Sequence, residues 1–241
     1  MKKLFLLILW IMTVCSVSNQ AYGSSSKLFF KPLNVNANLP TNEVRNLFQD
    51  SDGYVWIATY NGLVRYDGYS TVVYRPNGDD MRKSVNGFVN IVDEDKESVL
   101  WIGTHNGLYS FDKRKEVMQR VVSPVLRVSY IEALLCAQNG DVWVGCKAGL
   151  YRRKSGQRTF EYCSGLAGAA MDVKSIIEDT RGNLWIGTWN SGLYRYNPSE
   201  DRFYHYKKIN PANSAHILFQ DSKGNIWVGT WRYGLMKMEN P

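Results

Sequence analysis

Three features of this sequence predict an all-β propeller of four-stranded blades: a tryptophan recurring with a period in the low forties, a Gly-Leu step after each one, and turn residues between short β-rich runs. Trp56, Trp101, Trp143, Trp185 and Trp227 stand 45, 42, 42 and 42 residues apart. The text around them repeats as Val55-Trp56-Ile57-Ala58-Thr59, Leu100-Trp101-Ile102-Gly103-Thr104, Val142-Trp143-Val144-Gly145-Cys146, Leu184-Trp185-Ile186-Gly187-Thr188 and Ile226-Trp227-Val228-Gly229-Thr230. Gly62-Leu63, Gly107-Leu108, Gly149-Leu150, Gly192-Leu193 and Gly234-Leu235 follow in register. Five copies place five blades near residues 42–76, 86–122, 129–163, 172–207 and 214–238.

One unit shows how each is built. Val173 to Glu178 is a β-rich run ending in Asp179-Thr180-Arg181-Gly182-Asn183, a hairpin turn in which Asp bonds its own backbone and Gly supplies the positive φ. Leu184 to Thr188 is the second strand, Leu193 to Tyr196 the third after Gly192, and Phe203 to Tyr206 the fourth after Asn197-Pro198. The same turn recurs at Asp50/Gly53 and Asp221/Gly224, while one unit has Gly140 without the Asp and another has Asp95 with Ser98 for Gly. Two strands per unit are apolar on both faces, as packing between neighbouring sheets requires. A tryptophan buries about 150–250 Å², worth about 4–6 kcal/mol as an upper bound. The five periodic tryptophans are therefore read as inter-blade filler. The Asp-x-x-Gly turns are structural too, lacking the alternating carboxylates of a calcium loop.

The chain's start points to export. Lys2 and Lys3, the apolar run Leu4 to Val14 and the small residues flanking Tyr22 compose a signal peptide over 1–23, with the mature chain at 24–241 in the periplasm or otherwise outside the cytoplasm. The run is shorter than the about 20 residues of a membrane span, which weighs against an uncleaved anchor; the residues before Cys15 do not make a lipobox. Loss of Lys2 and Lys3 lowers the formal net charge from +7 to +5. The remaining basic residues are scattered among acidic ones, which argues against nucleic acid as a partner. No second stretch of membrane length occurs. Cys136, Cys146 and Cys163 form neither a closed disulfide set nor a zinc spacing, and His105, His205 and His216 lie far apart. No cofactor or metal is expected.

The fifth unit ends in its third strand, Leu235 to Met238, whereas an additional strand, Lys27 to Lys31, precedes the first. If that strand supplies the missing edge, five blades close a ring and protect their edges. The same arithmetic fits a fragment of a larger propeller.

Leu39-Pro40-Thr41-Asn42-Glu43-Val44-Arg45, the stretch Gln49-Asp50-Ser51-Asp52-Gly53-Tyr54-Val55-Trp56-Ile57-Ala58-Thr59-Tyr60-Asn61-Gly62-Leu63 and Arg65-Tyr66-Asp67-Gly68-Tyr69 resemble the start of the two-component regulator propeller repeats. The resemblance covers about 27–239. It implies the periplasmic part of a hybrid sensor kinase that detects glycan breakdown products. Such proteins continue into more blades, an immunoglobulin-like domain, a membrane helix, and kinase, receiver and DNA-binding modules. Against that pattern this chain reads as a truncated sensor or a separate binding protein, with a homodimer implied if it belongs to a kinase.

Function must be argued from a site. Loops between second and third strands share a face with the connections between blades, and they hold the repeat's most variable residues: Tyr60-Asn61, His105-Asn106, Lys147-Ala148, Trp189-Asn190 and Trp231-Arg232. On a carbohydrate-binding face, Tyr60, Trp189 and Trp231 stack on sugar rings, and Asn61, Asn106, Asn190, Lys147 and Arg232 supply hydrogen bonds to an oligosaccharide. Packing over the channel mouth or between blades is the competing account of the two tryptophans. A propeller hydrolase needs two placed carboxylates and a lyase a base such as His105 or His216. The acidic residues mostly occupy the opposite turns, so a binder is the expected class, with a protein-interaction scaffold as its rival.

Overall fold

The computed structural model describes residues 39–75, 85, 87–126, 130–164, 166 and 171–238, all within the second of two compact units, Val35–Pro241. The signal segment 1–23 and the strand expected at 27–31 lie outside the described residues.

These residues form antiparallel sheets in chain order. Blade 1 comprises β1 (Val44–Gln49), β2 (Val55–Thr59), β3 (Gly62–Tyr66) and β4 (Thr71–Tyr74). Blade 2 has β5 (Val89–Glu94), β6 (Val99–Thr104), β7 (Gly107–Asp112) and β8 (Val117–Arg120). Blade 3 has β9 (Ile131–Cys136), β10 (Val142–Cys146), β11 (Gly149–Arg153) and the short β12 (Glu161–Tyr162). Blade 4 has β13 (Val173–Glu178), β14 (Leu184–Thr188), β15 (Leu193–Asn197) and β16 (Arg202–Tyr206). Among the described residues blade 5 has three strands, β17 (Ile217–Gln220), β18 (Ile226–Gly229) and β19 (Leu235–Lys237).

First strands of successive blades lie beside one another, in the order β1, β5, β9, β13, β17. A small residue on each second strand makes this approach feasible. A Cβ on Gly103 would sit 2.7 Å from Ile131 Cγ2, one on Gly145 2.4 Å from Val173 Cγ1, and one on Gly187 2.6 Å from the Ala215 carbonyl oxygen. Ala58 fills the corresponding place in blade 1 and is fully buried.

Trp56, Trp101 and Trp143 each meet a ring of the next blade. Trp56 lies 5.6 Å from Tyr74 of its own blade and 5.6 Å from Phe111 of the next. Trp101 meets Phe160, and Trp143 meets Tyr196, again one blade on. The hairpin turns close as their residues dictate. Gly53, Gly140, Gly182 and Gly224 each donate N–H to the carbonyl three residues back, and Ser98 fills the same role at φ 61°. On this turn face Lys113 of blade 2 reaches Asp52 at 2.7 Å and Glu94 at 2.5 Å, joining blades 1 and 2. Cys136, Cys146 and Cys163 are free thiols.

Candidate ligand-binding face

The face opposite those turns is built by two local devices that repeat from blade to blade. The first is a β-bulge at the start of the first strand. Val44 pairs with Thr59 but Asn46 with Ala58, so Arg45 is the additional residue. The same shift singles out Asn90, Glu132 and Lys174. His216 takes the place in blade 5, donating its backbone N–H to the Gly229 carbonyl while Ile217 pairs with Gly229. A bulge re-aims one side chain without ending the ladder. One polar residue per blade is thereby presented beside the connections: Arg45, Asn90, Glu132, Lys174 and His216.

The second device fixes the second–third loops through their frame. Thr59 Oγ donates to the Gly62 carbonyl at 2.7 Å and accepts the Asn61 N–H. Thr104, Thr188 and Thr230 do likewise. In blade 3 the Cys146 thiol substitutes, with its pKa pushed up to about 11 by burial. Gly62 has φ 122°, and a Cβ there would stand 2.5 Å from the Tyr74 carbonyl oxygen. Threonine and glycine, with Cys146 in blade 3, thus hold each loop through its frame, independently of which side chains stand at its tip.

These tips meet the residues that lead into the next blade. Tyr60 stacks on Phe88, with centroids 4.3 Å apart and planes 9° apart, and Phe88 stacks on His105 at 4.5 Å. His105 meets Tyr130 edge-on at 5.2 Å. Across blades 4 and 5, Trp189 lies 4.8 Å from His216 and 5.5 Å from Trp231, with His216 and Trp231 5.4 Å apart. The expected placement therefore resolves into two aromatic groups. Tyr60 and His105 belong to the first, Trp189 and Trp231 to the second. Tyr60, His105, Trp189 and Trp231 are all exposed.

A charged segment separates the groups. Lys174 pairs with Glu132 and with Asp172, the latter at 3.1 Å, and its ammonium lies 5.2 Å from the Trp189 ring centroid. Burial opposes that charge, but hydrogen bonds to Glu132 and Asp172 outweigh it and hold the Lys174 pKa above its ordinary value. Burial and then the Lys174 charge hold His216 below its ordinary value, so its imidazole is neutral at pH 7. Asp172 Oδ1 and His216 Nε2 are buried atoms without a hydrogen-bond partner among the described residues.

The other expected site residues are more loosely engaged. Lys147, Asn190 and Arg232 are exposed at their loop tips, and Asn61 is exposed with its N–H tied to Thr59. Asn106 faces the connection into its own blade: its carbonyl accepts Arg120, and its side chain is the nearest group to Gly87. Sequence reasoning missed Phe88 and Tyr130, which precede first strands instead of standing in the variable loops. It also missed Glu132 and Lys174, whose signal is the bulge position itself. Two clefts on the opposite face, between the turns of blades 3 and 4 and of blades 4 and 5, are lined by residues such as Gln138, Asn139, Thr180 and Lys223, with no aromatic ring. Among the described residues no cluster of three His, Cys, Asp or Glu side chains could hold a metal ion.

Comparison with known proteins places the repeats. Residues 38–61, 168–190 and 211–232 match the family model described as two-component regulator propeller. No curated protein matches. Among solved structures, the chain is similar to the extracellular domain of a B. thetaiotaomicron one-component system, at 24% identity and a TM-score of 0.67, over 82% of this chain and 29% of that one. A B. thetaiotaomicron hybrid two-component extracellular domain matches at 21% identity and a TM-score of 0.67, over 86% and 32%. Virginiamycin B lyase from Staphylococcus aureus, in its structure with quinupristin, matches at 15% identity and a TM-score of 0.67, over 86% and 73%. These likenesses show the fold. The chain spans about a third of the length of the two extracellular domains.

Proposed function

We propose that this chain, in which residues 38–61, 168–190 and 211–232 match the two-component regulator propeller model, is the exported ligand-sensing propeller of a two-component signalling protein, taking a glycan-derived ligand on its loop face. The observation that carries the reading is the exposure of Tyr60, Trp189 and Trp231 at one repeated loop position, next to the polar bulge residues. An aromatic ring covers the apolar face of a sugar, and neighbouring polar groups take its hydroxyls. Trp189 and Trp231 fit this role because each leaves substantial ring area open while His216 buttresses both.

Binding is the expected activity, without catalysis. Of the two bases that a lyase reading would use, His216 has its Nε2 buried beside the two tryptophans and His105 is stacked on Phe88. The Glu132 and Asp172 carboxylates are both held by Lys174.

The test is a calorimetric titration of the chain with a panel of host and plant oligosaccharides. It is repeated on the double variant Trp189→Ala, Trp231→Ala. The reading expects one glycan class to bind and the double variant to lose that binding at an unchanged melting temperature. Equal affinity in the variant would overturn the placement, and a protein partner bound independently of free sugars would favour a scaffold.

A further inference from the structure

Each blade seats the next through two repeated contacts, and a third joins them at three of the four junctions. The opening residue of a first strand enters the notch left by the small residue on the previous blade's second strand. Val89, Ile131 and Val173, and in blade 5 Ala215 two residues before β17, are all 0% exposed there. The residue three positions on packs against the previous first strand, leaving Val92, Leu134, Ile176 and Leu218 at 3–7% exposure. Phe48, Leu135 and Ile177 are among the residues that receive them. Finally, the N–H after the turn's first residue donates to the side chain that ends the next first strand. Ser51 donates to Glu94 at 2.6 Å, Gln138 to Glu178 at 2.7 Å and Thr180 to Gln220 at 2.9 Å.

Blade 1 carries the entering half of this set unused, and blade 5 the receiving half. Val44 is 46% and Leu47 64% exposed, where every counterpart is buried. On blade 5, Ile217 is 66% and Phe219 61% exposed. A Cβ on Gly229 would meet nothing nearer than Ile217 of its own blade, at 3.6 Å, so the notch is open. Gln49 even holds the posture of Gln220: each donates Nε2 to the glycine carbonyl of its own turn, Gly53 at 3.2 Å and Gly224 at 3.3 Å. Gln220 Oε1 accepts the N–H of Thr180 in blade 4. Gln49 Oε1 has no such donor among the described residues.

We propose that the open face of blade 5 seats blade 1 of a second copy of this chain, head to tail. Val44 lies over Gly229, Leu47 packs on Ile217 and Phe219, and Gln49 Oε1 accepts the Ser222 N–H. The contact continues an interface that the chain already makes four times. Its two halves belong to different surfaces, so it is heterologous: it builds rings where the rotation closes and filaments where it does not.

Light scattering across a concentration series tests this with two variants. Leu47→Glu spoils only the blade 1 half, and Gly229→Glu only the blade 5 half. Both positions are open to solvent or loosely contacted, so folding is preserved, and near-ultraviolet circular dichroism checks it. The wild-type mass is expected to climb with concentration to at least twice the monomer. Each variant alone stays monomeric. An equimolar mixture forms a dimer that grows no further, because one variant keeps the socket and the other the knob. A wild-type monomer at every concentration, as ring closure within one chain would give, overturns the proposal. So does association that neither charge disturbs, or a mixture that stays monomeric.

Discussion

The carboxylate of Asp179 accepts the indole N–H of Trp185 at 2.8 Å, six residues further along the chain. The same carboxylate accepts the backbone N–H groups of Arg181 and Asn183 at 2.9 and 2.8 Å. One side chain thus fixes both the hairpin turn and the tryptophan that fills the inter-blade space. Asp50 with Trp56, Asp95 with Trp101 and Asp221 with Trp227 repeat the bond at 2.7–2.9 Å. Blade 3 departs from it. Ala137 stands where the aspartate would be, and Trp143 Nε1 is buried without an acceptor. Arg152 covers that ring at 4.9 Å instead, held by Asp141 at 2.7 Å.

This difference predicts unequal costs for one substitution at two equivalent places. Trp185→Phe removes ring area and a buried bond to a carboxylate; Trp143→Phe removes similar area and no hydrogen bond. A bond to a charged group contributes about 1.5–3 kcal/mol, so Trp185→Phe should destabilise by about 2 kcal/mol more than Trp143→Phe. Urea unfolding of the two variants measures this directly. Equal losses would show that Asp179 contributes through the turn alone.

Asp93 predicts a pH effect between blades 2 and 3. It stands one residue before the end of β5, accepts the Cys136 N–H of β9 at 2.7 Å, and burial lifts its pKa from 3.8 to about 6. A carboxyl whose folded pKa is raised favours the folded state below its unfolded pKa and loses that advantage as pH climbs from about 4 to about 6. Asp93→Asn keeps an acceptor for Cys136 and removes the charge. The variant should match wild type near pH 4 and exceed it at pH 8, by about 3 kcal/mol at most, since each pKa unit is worth about 1.4 kcal/mol. Denaturant midpoints at the two pH values decide it; a variant weaker at pH 8 would mean that the charged carboxylate is the better partner.

Much of this architecture was legible because each blade states it again. The Trp-x-Gly-Thr text and the Gly-Leu step located second and third strands, since their residues are buried on both sides and cannot vary freely. The loop tips were legible by contrast, with Tyr60, Trp189 and Trp231 standing where the repeat does not repeat itself. What stayed hidden depends on pairing between strands. Lys174 and Glu132 read as ordinary charges within first strands until the bulge turns them toward one another. Phe88 and Tyr130 read as connection residues until stacking on Tyr60 and His105 makes them part of the face. The bond between Asp179 and Trp185 also escaped, because a turn aspartate already had a sufficient local reason to be there.

His216 carries the last prediction, since it touches both tryptophans of the second aromatic group. Burial, and then the charge of Lys174, lowers its pKa below 6.5. A histidine with a depressed folded pKa stabilises the fold above its unfolded pKa, and that contribution is lost as pH falls below about 6.5. Protonation also sets a cation against two indole rings, so tryptophan emission should fall on acidification with a midpoint under 6.5. His216→Gln should abolish that transition while leaving emission at pH 7.5 nearly unchanged. A midpoint at or above 6.5 would mean that Glu132 and Asp172 cancel the Lys174 charge at the imidazole, and that the ring is better hydrated than its place between Trp189 and Trp231 implies.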